Sequence, residues 1–164
     1  MESKRISGLE PWLPRQKRTD RLGLALPPGK DELRTPLFRL ASEPSGIGSE
    51  LYFVNDSEET LISVGTEYGG SITVDDEAVT LKTAEGHIYC NVKPGEAVKV
   101  EEFDGYYDLD YLFQARIYVE SAKLGKLQLV TYPSKGQISD QELLWDTLEP
   151  AKHVNVTWDN NEED

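Results

Sequence analysis

The sequence is poor in the residues that most often carry chemistry. Among its 164 residues there is one cysteine, Cys90, and there are two histidines, His87 and His153. A single cysteine excludes an intrachain disulfide and suits a reducing compartment. A zinc site needs clustered Cys and His ligands, which these three residues do not supply. On a strand, His87 and Cys90 lie an odd number of positions apart and face opposite sides, so they form no local dyad. Cys90 shares a face with Ile88 and Val92, which predicts a small buried hydrophobe. No Gly-x-Ser-x-Gly elbow occurs. Gly46-Ile-Gly48 and Gly69-Gly70 lack the Lys-Ser/Thr of a phosphate loop and read as turns. No catalytic residue, metal or cofactor is expected.

Long apolar runs are missing too. The N-terminal run Leu22-Gly-Leu-Ala-Leu26 is too short for a secretory signal and stops at Pro27-Pro28. Nothing approaches the roughly 20 apolar residues of a membrane helix. A cytoplasmic protein that does not enter membranes is expected, in which the sequons Asn55-Asp-Ser57 and Asn155-Val-Thr157 are accidental. Basic residues are outnumbered, 17 Lys and Arg against 30 Asp and Glu, for a net charge of −13. Such a surface repels phosphate and argues against nucleic acid, while it favours solubility and attracts a basic partner.

The charge that is present is unevenly placed. Residues 1–40 hold nine basic and five acidic residues, a net of +4, and the remainder carries −17. Prolines 11, 14, 27, 28 and 36 and weak apolar periodicity make residues 1–36 a basic, extended arm. Within it Trp12, in Pro11-Trp-Leu-Pro14, is an aromatic anchor of hot-spot type. The arm can dock on its own acidic domain, on a second copy or on another protein, or stay disordered.

From Leu37 the pattern turns to period two. Strands are expected at 37–40, 50–54, 60–64, 71–74, 78–82, 87–92, 97–100, 112–120 and 126–130, with 50–54 and 60–64 forming a hairpin and Gly69-Gly70 a break. In 112–120, Phe113, Ala115, Ile117 and Val119 take one face and Gln114, Arg116, Tyr118 and Glu120 the other. Ser139-Asp-Gln-Glu142 reads as a capping box before Leu144, Trp145 and Leu148, which predicts a short C-terminal helix over 139–149, ended by Pro150. Val154, Val156 and Trp158 alternate into a last strand, and 159–164 is an acidic tail expected to be disordered. Short strands with turns every 8–12 residues indicate an all-β, mainly antiparallel protein: an immunoglobulin-like β-sandwich of seven to nine short strands over 37–158.

Two acid clusters have the oxygen chemistry of calcium, Asp75-Asp76-Glu77 and Asp104, Asp108, Asp110, though neither follows the EF-hand order, and solvated loop acids are the plainer reading. The second cluster also holds Tyr106 and Tyr107, beside Phe103 and Tyr111. Tyrosine packs well and keeps a polar end, so this loop is the candidate recognition patch, set against ordinary core and corner packing. The expected binding residues are Asp104, Tyr106, Tyr107, Asp108, Asp110 and Trp12. The expected function is a non-catalytic protein-interaction module, whose partner is a protein or, through the arm, a second copy. The alternatives are an acidic inhibitor or immunity-type protein that covers a basic enzyme, and a hydrolase using paired carboxylates.

Overall fold

The computed structural model describes residues 2–19, 22–25, 32–74, 77–84 and 87–159, and over 68–74 and 77–84 it describes the backbone alone. Asp75 and Asp76 of the first acid cluster, and residues 160–164 of the acidic tail, lie outside the described residues. Apart from one 3-10 turn at Arg15–Lys17, the regular elements described are all strands. They are β1 Arg5–Ser7, β2 Pro36–Ser45, β3 Gly48–Asn55, β4 Leu61–Val74, β5 Glu77–Ala84, β6 Ile88–Val92 and β7 Glu96–Phe103. Then follow β8 Leu112–Phe113, β9 Arg116–Ser121, β10 Gly125–Thr131, β11 Ser134–Lys135, β12 Gln141–Trp145 and β13 Val154–Asp159.

The strands form two antiparallel sheets. One has the order β1-β7-β3-β2-β12; the other runs β11-β8-β4-β9-β10-β13, with β5 and β6 also paired to β4. β4 is long enough to serve two sets of neighbours: its first half lies between β6 and β9, its second between β5 and β8. One apolar core lies between the sheets. Phe38, Leu40, Leu51, Phe53, Val98 and Val100 contribute from one side, and Leu61, Val64, Ile117, Val119, Leu127 and Leu129 from the other.

The burial patterns of the two sheets differ for a physical reason. β9 alternates buried and solvated residues, as a strand does with one face on the core and one in water. In β3 and β7, by contrast, Leu51–Asn55 and Ala97–Glu101 are buried without interruption. Their outer face is covered as well, because Ala41, Tyr52, Val54 and Ala97 make a second small apolar cluster under Ile6 and Leu9 of the arm.

Several expectations are corrected here. The C-terminal helix over 139–149 is not formed: Gln141–Trp145 is strand β12, paired with β2. The residues of the expected capping box have other partners. Asp140 Oδ1 accepts the Ser42 N–H at 2.6 Å, and Glu142 accepts from Trp12 and Arg18. Leu143, Leu144 and Trp145 are buried in a row, on a strand whose register shifts on both sides of Leu144. A tight turn follows, with Leu148 at φ +68° and the Leu148 N–H on the Trp145 carbonyl at 2.9 Å.

Residues 50–54 and 60–64 do not form a hairpin, since β3 and β4 belong to different sheets. The chain crosses between them around the fully buried Asn55, whose amide donates to the Glu59 and Val92 carbonyls. Gly69-Gly70 lies inside β4, which joins the strands expected at 60–64 and 71–74, and 112–120 divides into β8 and β9. Thirteen strands are described, from two residues in β8 to 14 in β4, where seven to nine short ones were expected. Cys90 is exposed while Tyr89 and Val92 are buried. Asn91 at φ +53° interrupts the alternation of faces, so inward positions fall three apart. Part of the arm, where extended structure without a strand was expected, pairs with β7 as β1.

Candidate functional site

The β7–β8 loop, residues 104–111, stands beside the β2–β3 tip. Its aspartates hold it in shape. Asp104 Oδ1 accepts the N–H groups of Tyr106 at 2.8 Å and Tyr107 at 2.9 Å, an Asx-type brace. Buried Asp108 accepts the Asp104 N–H at 2.7 Å, and its own carbonyl receives the Tyr111 N–H at 3.1 Å. Asp110 points outward, 3.9 Å from Lys135, which is also exposed, a pairing of little energetic weight. Among the described residues no group of three or more Asp, Glu, His or Cys is placed to hold a metal.

The aromatic residues divide between core and surface. Phe103 and Phe113 meet edge-on at 4.8 Å in the core, and half-buried Tyr111 packs on Phe113 at 6.1 Å. These three anchor the loop. Tyr106 and Tyr107 are left outside, 70% and 75% exposed, with their rings edge-to-face at 5.0 Å. Ile47, 76% exposed at the β2–β3 tip, and exposed Leu109 extend the patch. Two glycines let the tip and loop meet backbone to backbone: a Cβ on Gly48 would stand 1.8 Å from the Phe103 carbonyl oxygen, and one on Gly105 1.9 Å from that of Ile47. Concavities flank the contact, one of about 420 Å³ beside Leu109 and Lys135, and one of about 270 Å³ edged by Glu50, Glu102, Asp104 and Asp108.

Five of the six expected binding residues are therefore brought together, and Trp12 is not. Trp12 packs edge-on against Trp145 at 5.8 Å and donates its indole N–H to Glu142 at 2.8 Å. Arg18 reaches the same carboxylate at 2.7 Å, and Arg34 lies over the Trp145 ring. Further along the arm, the Arg5 guanidinium donates to the Cys90 and Asn91 carbonyls. The Lys4 carbonyl accepts the Lys99 N–H at 2.8 Å. Lys99, only 4% exposed, pairs with Glu50 at 2.5 Å and with Glu102. Glu50 did not stand out in the sequence, Ile47 only as part of a turn, and Glu142 only as a helix-cap residue, since a partner more than forty residues away gives each of the two acids its importance.

The arm's anchor is acid-sensitive. Burial pushes the Glu142 carboxyl up, but the hydrogen bonds from Trp12 and Arg18 outweigh it and hold the group below its ordinary 4.5. Glu50 is likewise held low, chiefly by Lys99, against its own burial. A carboxylate depressed in the folded state stabilises above its unfolded pKa, and that contribution is lost as pH falls through the folded value. Arm docking, followed by indole emission, is therefore expected to weaken below pH 4.5, and Glu142→Gln is expected to remove most of that acid-dependent change. An unchanged acid profile in the variant would contradict the assignment.

A second prediction concerns Gln141, whose amide nitrogen is buried without a hydrogen-bond partner. An unsatisfied buried donor costs about 1–3 kcal/mol, so the apolar near-isostere Gln141→Met is expected to be neutral or to stabilise by up to about 1 kcal/mol in a denaturant titration. A loss above about 1 kcal/mol would mean that the amide is bonded.

Among the described residues no helix is long and apolar enough to cross a membrane. Comparison with protein-family models, curated proteins and solved structures finds no match for this chain.

Proposed function

We propose that this chain is a non-catalytic protein-interaction module that contacts its partner through the surface formed by residues 104–111 and the β2–β3 tip. The observation that carries the reading is the pair Tyr106 and Tyr107, held outward by a loop whose own aspartates fix its backbone. A braced loop loses little conformational freedom on binding, and tyrosine supplies contact area at low entropic cost. A protein partner, rather than nucleic acid, is supported by the net charge of −13. A cytoplasmic setting is supported by the single cysteine. The scaffold is read as immunoglobulin-like because β2, β3 and β7 lie in one sheet and β6, β4, β9 and β10 in the other. The connections β3–β4 and β6–β7 pass between the sheets, as in a Greek-key sandwich.

The net charge of −13 supports a second reading in the same place, an inhibitor or immunity-type protein that covers a basic enzyme. The two differ in salt dependence, since charge-steered association weakens steeply with ionic strength. The experiment is photo-crosslinking in source cells, with a photoreactive residue at Tyr107 or, for comparison, at Lys93 in the β6–β7 turn. The proposal expects a discrete crosslinked protein from position 107 and none, or a different set, from 93. Identical products from both positions would remove it.

A further inference from the structure

We propose that the arm, residues 2–19, is an exchangeable strand: in a dimer, each copy's arm occupies the outer face of the other copy's five-stranded sheet. This inference is independent of the loop-end reading. The arm's main contacts are all to residues distant in sequence. Trp12 and Arg18 reach Glu142 across 130 and 124 positions, and Arg5 reaches Cys90 and Asn91 across 85 and 86. Such contacts are indifferent to which copy supplies the arm. Their chemistry is that of an acceptor site: a β7 edge that takes β1 as an added strand, apolar seats for Ile6 and Leu9, and carboxylates at Glu50, Glu96 and Glu142 for Lys4, Arg5 and Arg18.

Charge and chain length permit the exchange. The first forty residues carry +4 and the rest −17, so arms passing between two domains bring basic residues to where two acidic bodies meet. Twelve residues lie between Thr19 and Glu32 in the sequence, and extended chain spans about 3.4 Å per residue, enough to reach a neighbouring sheet. The closing contact is local: the Gln16 side chain exchanges two 3.0 Å hydrogen bonds with the Glu32 backbone, and this pair re-forms in either arrangement. Reciprocal exchange of an identical element closes a two-fold dimer without any new contact.

The test mixes two full-length variants, Trp12→Ala, with a damaged arm, and Glu142→Ala, with a damaged acceptor. Each homodimer lacks both Trp12–Glu142 hydrogen bonds. The exchanged heterodimer regains one, because the intact arm of the Glu142→Ala chain lies on the intact acceptor of the Trp12→Ala chain. Native mass spectrometry is expected to show the heterodimer about tenfold above its statistical share, the size of one charge-assisted hydrogen bond. Monomers alone, or dimers in the statistical ratio, would overturn the proposal. Should either variant fail to fold, wild-type protein mixed in unlabelled and 15N-labelled forms is expected to yield mixed dimers on incubation, and their absence would overturn it equally.

Discussion

Ile117→Asp is expected to unfold the protein, and Gln114→Asp to leave it intact. Ile117 is 1% exposed and lies on β9 between Thr66 of β4 on one side and Leu129 of β10 on the other, in the core between the sheets. A carboxylate there has no partner, and burying it, with the loss of the isoleucine's own packing, costs about 4 kcal/mol or more. A domain of this kind holds about 5–15 kcal/mol in total. In a thermal melt the loss corresponds to a fall on the order of 10 °C, or to no folded baseline at all. Gln114 is exposed, and its side-chain amide donates to the Thr131 carbonyl at 3.2 Å, so its replacement costs about 1 kcal/mol. Equal melting temperatures for the two variants would refute the face assignment.

Gly48→Ala and Gly105→Ala form the second large effect. Each added methyl would meet a carbonyl oxygen of the opposing segment below 2 Å, and since the obstacle is backbone, no side-chain rotation relieves it. The tip and the loop must separate, at an expected cost of about 2–4 kcal/mol. Both substitutions break the same contact, so the double variant is expected to lose clearly less than the sum of the singles. Gly95 is the control: at φ +81° with open space around its Cβ direction, its replacement by alanine carries conformational strain alone, about 1 kcal/mol. If Gly48→Ala costs no more than Gly95→Ala in a urea titration, the backbone contact that supports the candidate surface is not there.

The parts of this fold that were legible in the sequence are those decided by neighbours a few residues apart. Phe113, Ala115, Ile117 and Val119 face the core as their alternation predicts, although the chain leaves strand geometry between Phe113 and Arg116. Clustered acids and tyrosines marked the loop of Asp104 to Tyr111, and the outward stance of Tyr106 and Tyr107 follows from aspartate bonds reaching two and three residues along. What was not legible depends on distant partners. Leu144, Trp145 and Leu148 fit a helical stripe, while Leu143, Leu144 and Trp145 fit a buried strand, and the choice is made by the open edge of β2, a hundred residues earlier. The apparent helix cap was misleading because Asp140 and Glu142 serve Ser42, Trp12 and Arg18. Cys90 was misplaced by one residue, Asn91, whose left-handed backbone no periodicity reveals. Ile47 carried no signal at all, because its place beside the loop comes from how β2, β3 and β7 pair.

The most direct test of the proposed binding surface is affinity capture from source-cell extract at low salt, comparing the wild-type chain with a Tyr106→Ala/Tyr107→Ala variant by quantitative mass spectrometry. Both side chains are largely in solvent, so the variant is expected to melt with the wild type, within about 0.5 kcal/mol. A protein is expected that the wild type enriches and the variant loses by at least about tenfold, the effect of removing an aromatic hot spot. Capture of the same proteins in the same amounts by both chains, with both folded, would contradict it.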